Sequence, residues 1–359
     1  VGRLAFGLTV LLLPFLAGCA PSPIAECAQG GDAVCGFEKP EDLVLLPGTR
    51  SALVIEHGGK TQAAGFSVLD LAQGRRMPLS WTTAREDTVG AAQCAAPPEK
   101  FAPGGIDLVA TEKGWRVLAV NRASPARIEF FDVTDNEGDL TLTWKGCVAV
   151  AEGLFLNDVA AAPDGSLYAT HMVEPQAART AMAPLRFFFG LDTGYVVRWS
   201  RAEGWNKVPK SDGSFPNGIA LSADGNTLYF AETFGERVNR IDLATGMRKA
   251  CRLAFQPDNL TWSDDGALIA VGHDGLPLLT TRGCRNLADQ GCGFSFRVAR
   301  IDASLRTVSM IYRSDGRVIP GASTALVDGG NLWLGTAFGD RVTRVSLSAP
   351  SSRTPPASH

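Results

Sequence analysis

The sequence predicts an all-β fold, a six-bladed β-propeller with four-stranded blades. Two observations carry that prediction. A turn followed by a buried strand recurs six times, and an alternating strand follows each copy. Composition agrees: 39 glycines and 21 prolines in 359 residues suit many short strands joined by turns.

The six copies are Pro47-Gly48 before Ala52-Leu53-Val54-Ile55, Lys113-Gly114 before Val117-Leu118-Ala119-Val120, and Asp164-Gly165 before Leu167-Tyr168-Ala169. Asp224-Gly225 before Leu228-Tyr229-Phe230, Asp265-Gly266 before Leu268-Ile269-Ala270-Val271 and Gly329-Gly330 before Leu332-Trp333-Leu334 complete them. Asp-Gly between apolar runs signals a hairpin, because glycine takes positive φ at no steric cost. The companion strands include Arg237-Val238-Asn239-Arg240-Ile241-Asp242, Arg297-Val298-Ala299-Arg300-Ile301-Asp302 and Arg341-Val342-Thr343-Arg344-Val345. Their alternation buries one face. Each copy therefore reads as an inner buried strand and an outer half-exposed one.

No Pro/Ser-rich linker interrupts residues 40–347, which read as one propeller domain. Only residues 173–192 break the strand rhythm. The 179–190 stretch favours helix, with Pro184 starting or kinking it, and reads as a short apolar lid or as a loop tucked into the core. The Ser- and Pro-rich residues 348–359 read as a disordered tail.

Arg3 precedes an apolar run from Leu4 to Leu16 that ends in Leu16-Ala17-Gly18-Cys19. The run is short for a membrane span and has the layout of a signal peptide, residues 1–18. Small residues before a cysteine resemble a bacterial lipobox, which makes Cys19 the lipidated residue and residues 19–39 a linker. Ala20, where an aspartate would retain the protein at the inner membrane, points to the outer membrane, facing the periplasm or the cell surface. Lipid on Cys19 would hold the chain to the membrane, with the 179–190 segment as a second contact.

Export implies an oxidising compartment. Cys27/Cys35 and Cys284/Cys292 close short loops, Cys94/Cys147 is a further pairing, and Cys251 is the choice for a free thiol; spacing alone does not fix the connectivity. No C-x-x-C spacing suggests zinc. A net charge of −3 without a Lys/Arg run argues against nucleic acid as a partner. There is no G-x-S-x-G elbow, no H-E-x-x-H helix and no Gly-rich phosphate loop.

The chemistry points elsewhere. Glu41-Asp42, Asn157-Asp158, Asn217-Gly218 and Asp258-Asn259 share one register, just before the inner hairpins of four blades. Any one pair reads as turn residues. Four in register read as a ring of carboxylates and amides converging on the axis, the hard oxygen donors that calcium takes.

At these residues the sequence resembles the paraoxonase (arylesterase) family. The resemblance rests on Pro40-Glu41-Asp42-Leu43, Phe101-Ala102-Pro103-Gly104-Gly105-Ile106, Leu156-Asn157-Asp158-Val159, Phe215-Pro216-Asn217-Gly218-Ile219 and Pro257-Asp258-Asn259-Leu260. Ser323-Thr324 and Leu332-Trp333-Leu334-Gly335-Thr336 resemble its last blade. Gluconolactonases and strictosidine-synthase-like proteins share a thinner version. The resemblance implies two calcium ions. Glu41, Asn157, Asn217, Asp258 and Asn259 would hold a catalytic ion; Asp42, Asp158 and the carbonyl of Ile106 would hold a structural one. It also implies a calcium-dependent hydrolase of lactones or related esters, the metal polarising the carbonyl and water attacking.

Two family positions depart from that pattern. Gly104 and Arg122 stand where paraoxonases carry histidines, and arginine is no base at neutral pH. In gluconolactonases, which lack those histidines, an aspartate matching Asp258 is the presumed base. His273 matches a channel-lining histidine of paraoxonases, so Asp258 and His273 are the candidate catalytic residues. His57 and His171, at equivalent strand ends, would line the pocket with Gly104 and Arg122. The alternatives are a non-catalytic calcium-stabilised propeller that binds a ligand or protein and, behind it, strictosidine-synthase-like carbon–carbon bond formation.

Overall fold

The recurring turns do form hairpins: Gly48, Gly165, Gly225 and Gly266 sit at φ 78°, 81°, 71° and 77°. A computed structural model describes residues 22–24, 26–28, 31–59, 62–86, 89–91, 94–136, 138–175, 183–275 and 292–347. It is a six-bladed propeller of antiparallel blades.

Blade 1 runs outward through Pro40–Leu46, Ser51–Glu56, Gly65–Asp70 and Arg75–Leu79. Blade 2 is Pro103–Thr111, Gly114–Asn121, Arg127–Asn136 and Asp139–Ala149. Blade 3 is Leu156–Ala161, Leu167–His171, Tyr195–Ser200 and Gly204–Lys207. Blade 4 is Pro216–Leu221, Thr227–Glu232, Arg237–Asp242 and Arg248–Arg252, and blade 5 is Gln256–Trp262, Leu268–His273, Phe296–Ile301 and Val308–Ser314. Blade 6 takes Thr324–Asp328, Asn331–Gly335 and Arg341–Ser346, and its outermost strand is Ala33–Cys35 from the start of the chain. Thr324–Asp328 packs against Pro40–Leu46, which closes the ring.

Packing explains why the second strand of each blade reads as a continuous apolar run. Successive side chains point to opposite faces, and here both faces are covered by neighbouring blades. Leu53 and Ile55 join Phe131 and Trp144 between blades 1 and 2, whereas Ala52 and Val54 join Trp333 and Val342 between blades 1 and 6. Six such clusters fill the six interfaces.

Several expectations are corrected. The strand taken as innermost is the second in its blade; the innermost strand precedes each turn and itself begins with the oxygen-bearing residues. Residues 19–39 are more than a linker, because Ala33–Cys35 pairs with Arg341–Ser346. Blade 2 has five strands, since Trp81–Thr83 adds in parallel to its outer edge. The insertion carries a helix at Ala183–Phe188, with Leu185, Phe188, Phe189 and Leu191 exposed while Phe187 packs on Phe215 and Phe234.

Cys27–Cys35 and Cys94–Cys147 are disulfides and Cys251 is unpaired. Cys19, Cys284 and the segments expected to be a signal peptide, residues 1–18, and a disordered tail, residues 348–359, lie outside the described residues. Among the described residues no helix is long and apolar enough to cross a membrane.

Removing residues 1–37 deletes the closing strand together with the buried side chains of Val34 and Phe37. Burying two such side chains is worth on the order of 3–6 kcal/mol. Thermal unfolding of the truncated protein should therefore begin several degrees lower; an unchanged melting temperature would show that blade 6 closes without this strand.

Candidate metal centre

The strand register gathers the site. In every blade the start of the innermost strand pairs with the end of the second, as in Pro40 opposite Glu56, Pro103 opposite Asn121 and Gln256 opposite His273. Five of the six innermost strands shift register at that point: between Pro40 and Asp42, Pro103 and Ile106, Leu156 and Val159, Pro216 and Ile219, and Pro257 and Leu260. A bulge leaves residues unpaired and re-aims their side chains. The re-aimed residues are Glu41, Gly104-Gly105, Asn157-Asp158, Asn217-Gly218 and Asp258-Asn259, so the five positions expected to hold the catalytic ion share one end of the channel, while Asp42 and Ile106 stay paired in the ladder.

There the side chains meet. Asn157 Nδ2 donates to Asn217 Oδ1, and Asn217 Nδ2 donates to Thr233 Oγ1 at 3.0 Å. Asn259 Nδ2 lies 3.4 Å from Glu41 Oε1. Two buried acceptors, Glu41 Oε2 and Asn259 Oδ1, have no hydrogen-bond partner. Buried polar atoms are seldom left so. Burial, then the charge of Asp258, pushes the Glu41 carboxyl up to about 7, and burial pushes Asp258 up to about 7. Among the described residues no three His, Cys, Asp or Glu side chains form a cage by themselves. The donors are instead two carboxylates and three amides, an all-oxygen set that fits a hard cation such as calcium.

Asp42 and Asp158 do something different. Asp42 accepts from the Ile106 N–H at 3.0 Å and from Thr324 Oγ1 at 2.9 Å, tying blade 1 to blades 2 and 6. Asp158 accepts from the Ile219 N–H at 2.9 Å, tying blade 3 to blade 4. Burial holds both carboxyls high, aided by the charge of Glu41 at Asp42, which stands at about 7, and by the charge of Asp42 at Asp158. The Ile106 group that meets Asp42 is thus its N–H, whereas the expected structural ion would call on its carbonyl.

The histidines sort themselves. His273 is buried, its Nε2 3.3 Å from the Gly321 carbonyl and 3.9 Å from Asp258 Oδ2, with its ring against Phe294 and Phe338. Facing a carbonyl, Nε2 must carry the proton, and burial lowers the pKa to about 4. His57 Nε2 stands 3.9 Å from Glu41 Oε2 and 3.3 Å from Arg122 Nη2; burial and then Arg122 push it down to about 3. His171 is a correction: it has no accessible surface, accepts the Phe155 N–H at 2.9 Å and stacks on Tyr195, so it braces blade 3 instead of lining the pocket.

Gly104 has no room for the missing histidine. A Cβ there would sit 2.3 Å from the Asn157 carbonyl oxygen. Sequence reasoning also missed Thr233, whose hydroxyl accepts from Asn217 and donates to the Pro257 carbonyl at 2.9 Å, and the aromatic walls Phe294 and Phe338. Their only signal was position, just beyond a strand that ends at the mouth.

A cavity of about 1390 Å³ is lined by Val44, Leu108, Ala160, Leu221 and Leu260 together with charged residues such as Asp107, Arg116, Asp164 and Arg198. Of the proposed donors only Asp42 and Ile106 border it, so it opens away from the mouth where Glu41, Asp258 and the histidines gather.

A family model described as the SMP-30/Gluconolactonase/LRE-like region matches residues 70–276, more than half of the chain. The chain belongs to that family. A luciferin-regenerating enzyme shares its fold with TM-score 0.52 at 15% identity, covering 87% of this chain and 92% of its own. A protein solved as a candidate gluconolactonase gives 0.50 at 18%, covering 89% and 93%. A Bacteroides thetaiotaomicron protein of unknown function gives 0.52 at 12%, covering 88% and 72%. Comparison with curated protein sequences gives no match. The matched family region takes in Gly104, Arg122, Asn157, Asn217, Asp258, Asn259 and His273, while Glu41 precedes it.

Gly104→Ala should cost about 1–3 kcal/mol through overpacking and loosen the donor ring by displacing Asn157. Denaturant unfolding with and without calcium measures both effects. A variant as stable as the parent, with equal calcium affinity, would show that the contact between blades 2 and 3 is slack.

Proposed function

We propose that this protein is a calcium-dependent hydrolase of lactones or related esters, acting at the channel mouth. One observation carries the reading: the two unpaired buried acceptors, Glu41 Oε2 and Asn259 Oδ1, sit among carboxylates whose ionisation burial opposes. Family membership supports a lactonase-type or calcium-binding propeller in general terms. Glu41, Asn157, Asn217, Asp258 and Asn259 would hold the ion. Calcium, when bound, supplies polarisation of the substrate carbonyl and stabilisation of the negative charge that develops on its oxygen.

The remaining work falls to side chains. Asp258 is the base of this proposal. An ionised carboxylate at the metal position is placed to accept a proton from the attacking water. His273 serves it less well as a base, since Nε2 already donates to Gly321; it positions Asp258 and, with Phe294 and Phe338, shields the mouth from bulk water. Asp42 and Asp158 fix the spacing of the blades that carry the donors; a second, structural ion at these residues stays part of the proposal only if binding shows two sites. In the same reading, lipid on Cys19 holds the enzyme at a membrane.

The test is a lactone panel run with calcium and with excess chelator. Chelation should abolish turnover. Asp258→Asn keeps an amide oxygen for the metal but cannot accept a proton, so it should lose at least about 100-fold in kcat. His273→Gln should lose far less. Equal rates in Asp258→Asn and wild type would remove Asp258 from the chemistry, and tight calcium binding with no lactone turned over would leave a non-catalytic binding propeller.

A further inference from the structure

Thr233 joins two of the proposed donor positions across a blade boundary. It follows Glu232, the last residue of the second strand of blade 4, and is buried at the channel mouth. Its hydroxyl donates to the Pro257 carbonyl on blade 5 at 2.9 Å and accepts from Asn217 Nδ2 on blade 4 at 3.0 Å. A hydroxyl has one hydrogen. With that hydrogen given to Pro257, Thr233 can only accept from Asn217, so the Asn217 amide turns its nitrogen toward Thr233 and its oxygen away. The oxygen is then the atom that Asn157 Nδ2 meets. One hydroxyl thus fixes the Asn217 amide and holds the residue that precedes Asp258 and Asn259.

The joint is close as well as directional. A Cβ on Gly218, next to Asn217, would stand 2.6 Å from the Asp258 carbonyl oxygen. The Asp258 carboxyl also takes a hydrogen bond from the Asn217 side chain. Once committed to a cation, that carboxylate has less to offer the amide, and Thr233 is the partner that keeps it turned. Blade 6 repeats the arrangement with a backbone donor. Thr336, one residue beyond the second strand of that blade, gives its N–H to the Pro40 carbonyl at 2.6 Å, and Pro40 precedes Glu41. Each carboxylate of the proposed donor set therefore follows a proline whose carbonyl is held by a threonine of the blade before it in the ring.

We infer that Thr233 is a positioning residue for this site: through its hydroxyl it sets the orientation of the Asn217 amide and the spacing of that amide from the Asp258-Asn259 bulge. The inference rests on the calcium reading above and adds to it a residue outside the expected donor set. Valine has the shape of threonine without the hydroxyl, so Thr233→Val removes both bonds and little else. The Asn217 amide is then free to turn its NH2 group to the side its oxygen occupied, and an NH2 group is no ligand for a cation that takes oxygen donors. Thr261 supplies the control. Its Oγ1 donates to the Ala325 carbonyl at 2.6 Å, also across a blade boundary, but Thr261 lies beyond the bulge of its strand and lines the cavity away from the mouth.

The experiment measures calcium binding by calorimetry, and thermal unfolding, on the full chain carrying Thr233→Val, Thr233→Ser or Thr261→Val. Thr233→Val should weaken calcium binding about tenfold or more, and Thr233→Ser, which keeps the hydroxyl, should stay within about threefold of wild type. Thr261→Val should lower the melting temperature as Thr233→Val does, with calcium affinity unmoved. Wild-type calcium affinity in Thr233→Val overturns the inference and leaves the calcium reading intact. Thr233→Ser as weak as Thr233→Val also overturns it, since the methyl group and not the hydroxyl then matters. So does an equal loss of affinity in Thr261→Val, because loosening any blade boundary would then suffice. If wild type binds no calcium, the calcium reading fails and hydrogen exchange of the Asn217 side-chain amide in the metal-free chain decides. Protection in wild type and Thr233→Ser that is lost in Thr233→Val upholds the orienting role; protection that survives in Thr233→Val sinks it. Should Thr233→Val not fold, Thr233→Ala takes its place in each comparison.

Discussion

Everything at the centre of this propeller depends on carboxylates forced together where water is scarce. Glu41, Asp42, Asp158 and Asp258 approach one another at one end of the channel, and burial does most to raise the pKa of each. A carboxyl whose folded pKa is raised from about 4 to about 7 favours the folded state below its unfolded pKa and loses that benefit as pH rises through 7. The metal-free protein should therefore weaken as it approaches neutral pH. A bound divalent cation reverses the sign, because it pairs the charges that burial penalises. On the proposed reading, both the stability of this frame and its chemistry call for a cation.

The frame itself is local in origin. Period-two alternation with apolar residues on both faces makes a blade that must be covered on two sides, and six of them close a ring. The bulges at the starts of the innermost strands then turn polar side chains toward the axis. They come so close that small residues are needed: a Cβ on Gly218 would stand 2.5 Å from the Asn259 Cα, as one on Gly104 would meet the Asn157 carbonyl. The ring of donors and the glycines between them are one packing solution. It also explains why this chain carries no histidine at position 104.

Much of this was legible in the sequence. Six Asp-Gly-like turns and six alternating strands sufficed for the fold, and the shared register of Glu41, Asn157, Asn217 and Asp258 sufficed to place them at one end. Other features were not legible for physical reasons. The innermost strands are hard to see because their first residues are polar and bulged, so they read as loops. Ala33–Cys35 is three residues long and finds its partner about 300 residues away, beyond the reach of any local pattern. His171 and His273 look alike as residues at strand ends; only packing distinguishes the one stacked beneath Tyr195 from the one beside Asp258. Thr233 acquires meaning only from its neighbour on the next blade, the Pro257 carbonyl.

The central claim is that the mouth is a cation site built from carboxylates whose ionisation burial opposes. Calcium titration calorimetry on the metal-free protein at pH 6 and pH 8, in buffers of different ionisation enthalpy, tests it most directly. The account predicts tighter binding at pH 8, with protons released on binding at pH 6 because Glu41 and Asp258, poised near 7, must give them up. No calcium binding at either pH, or binding that is independent of pH and releases no protons, would contradict it.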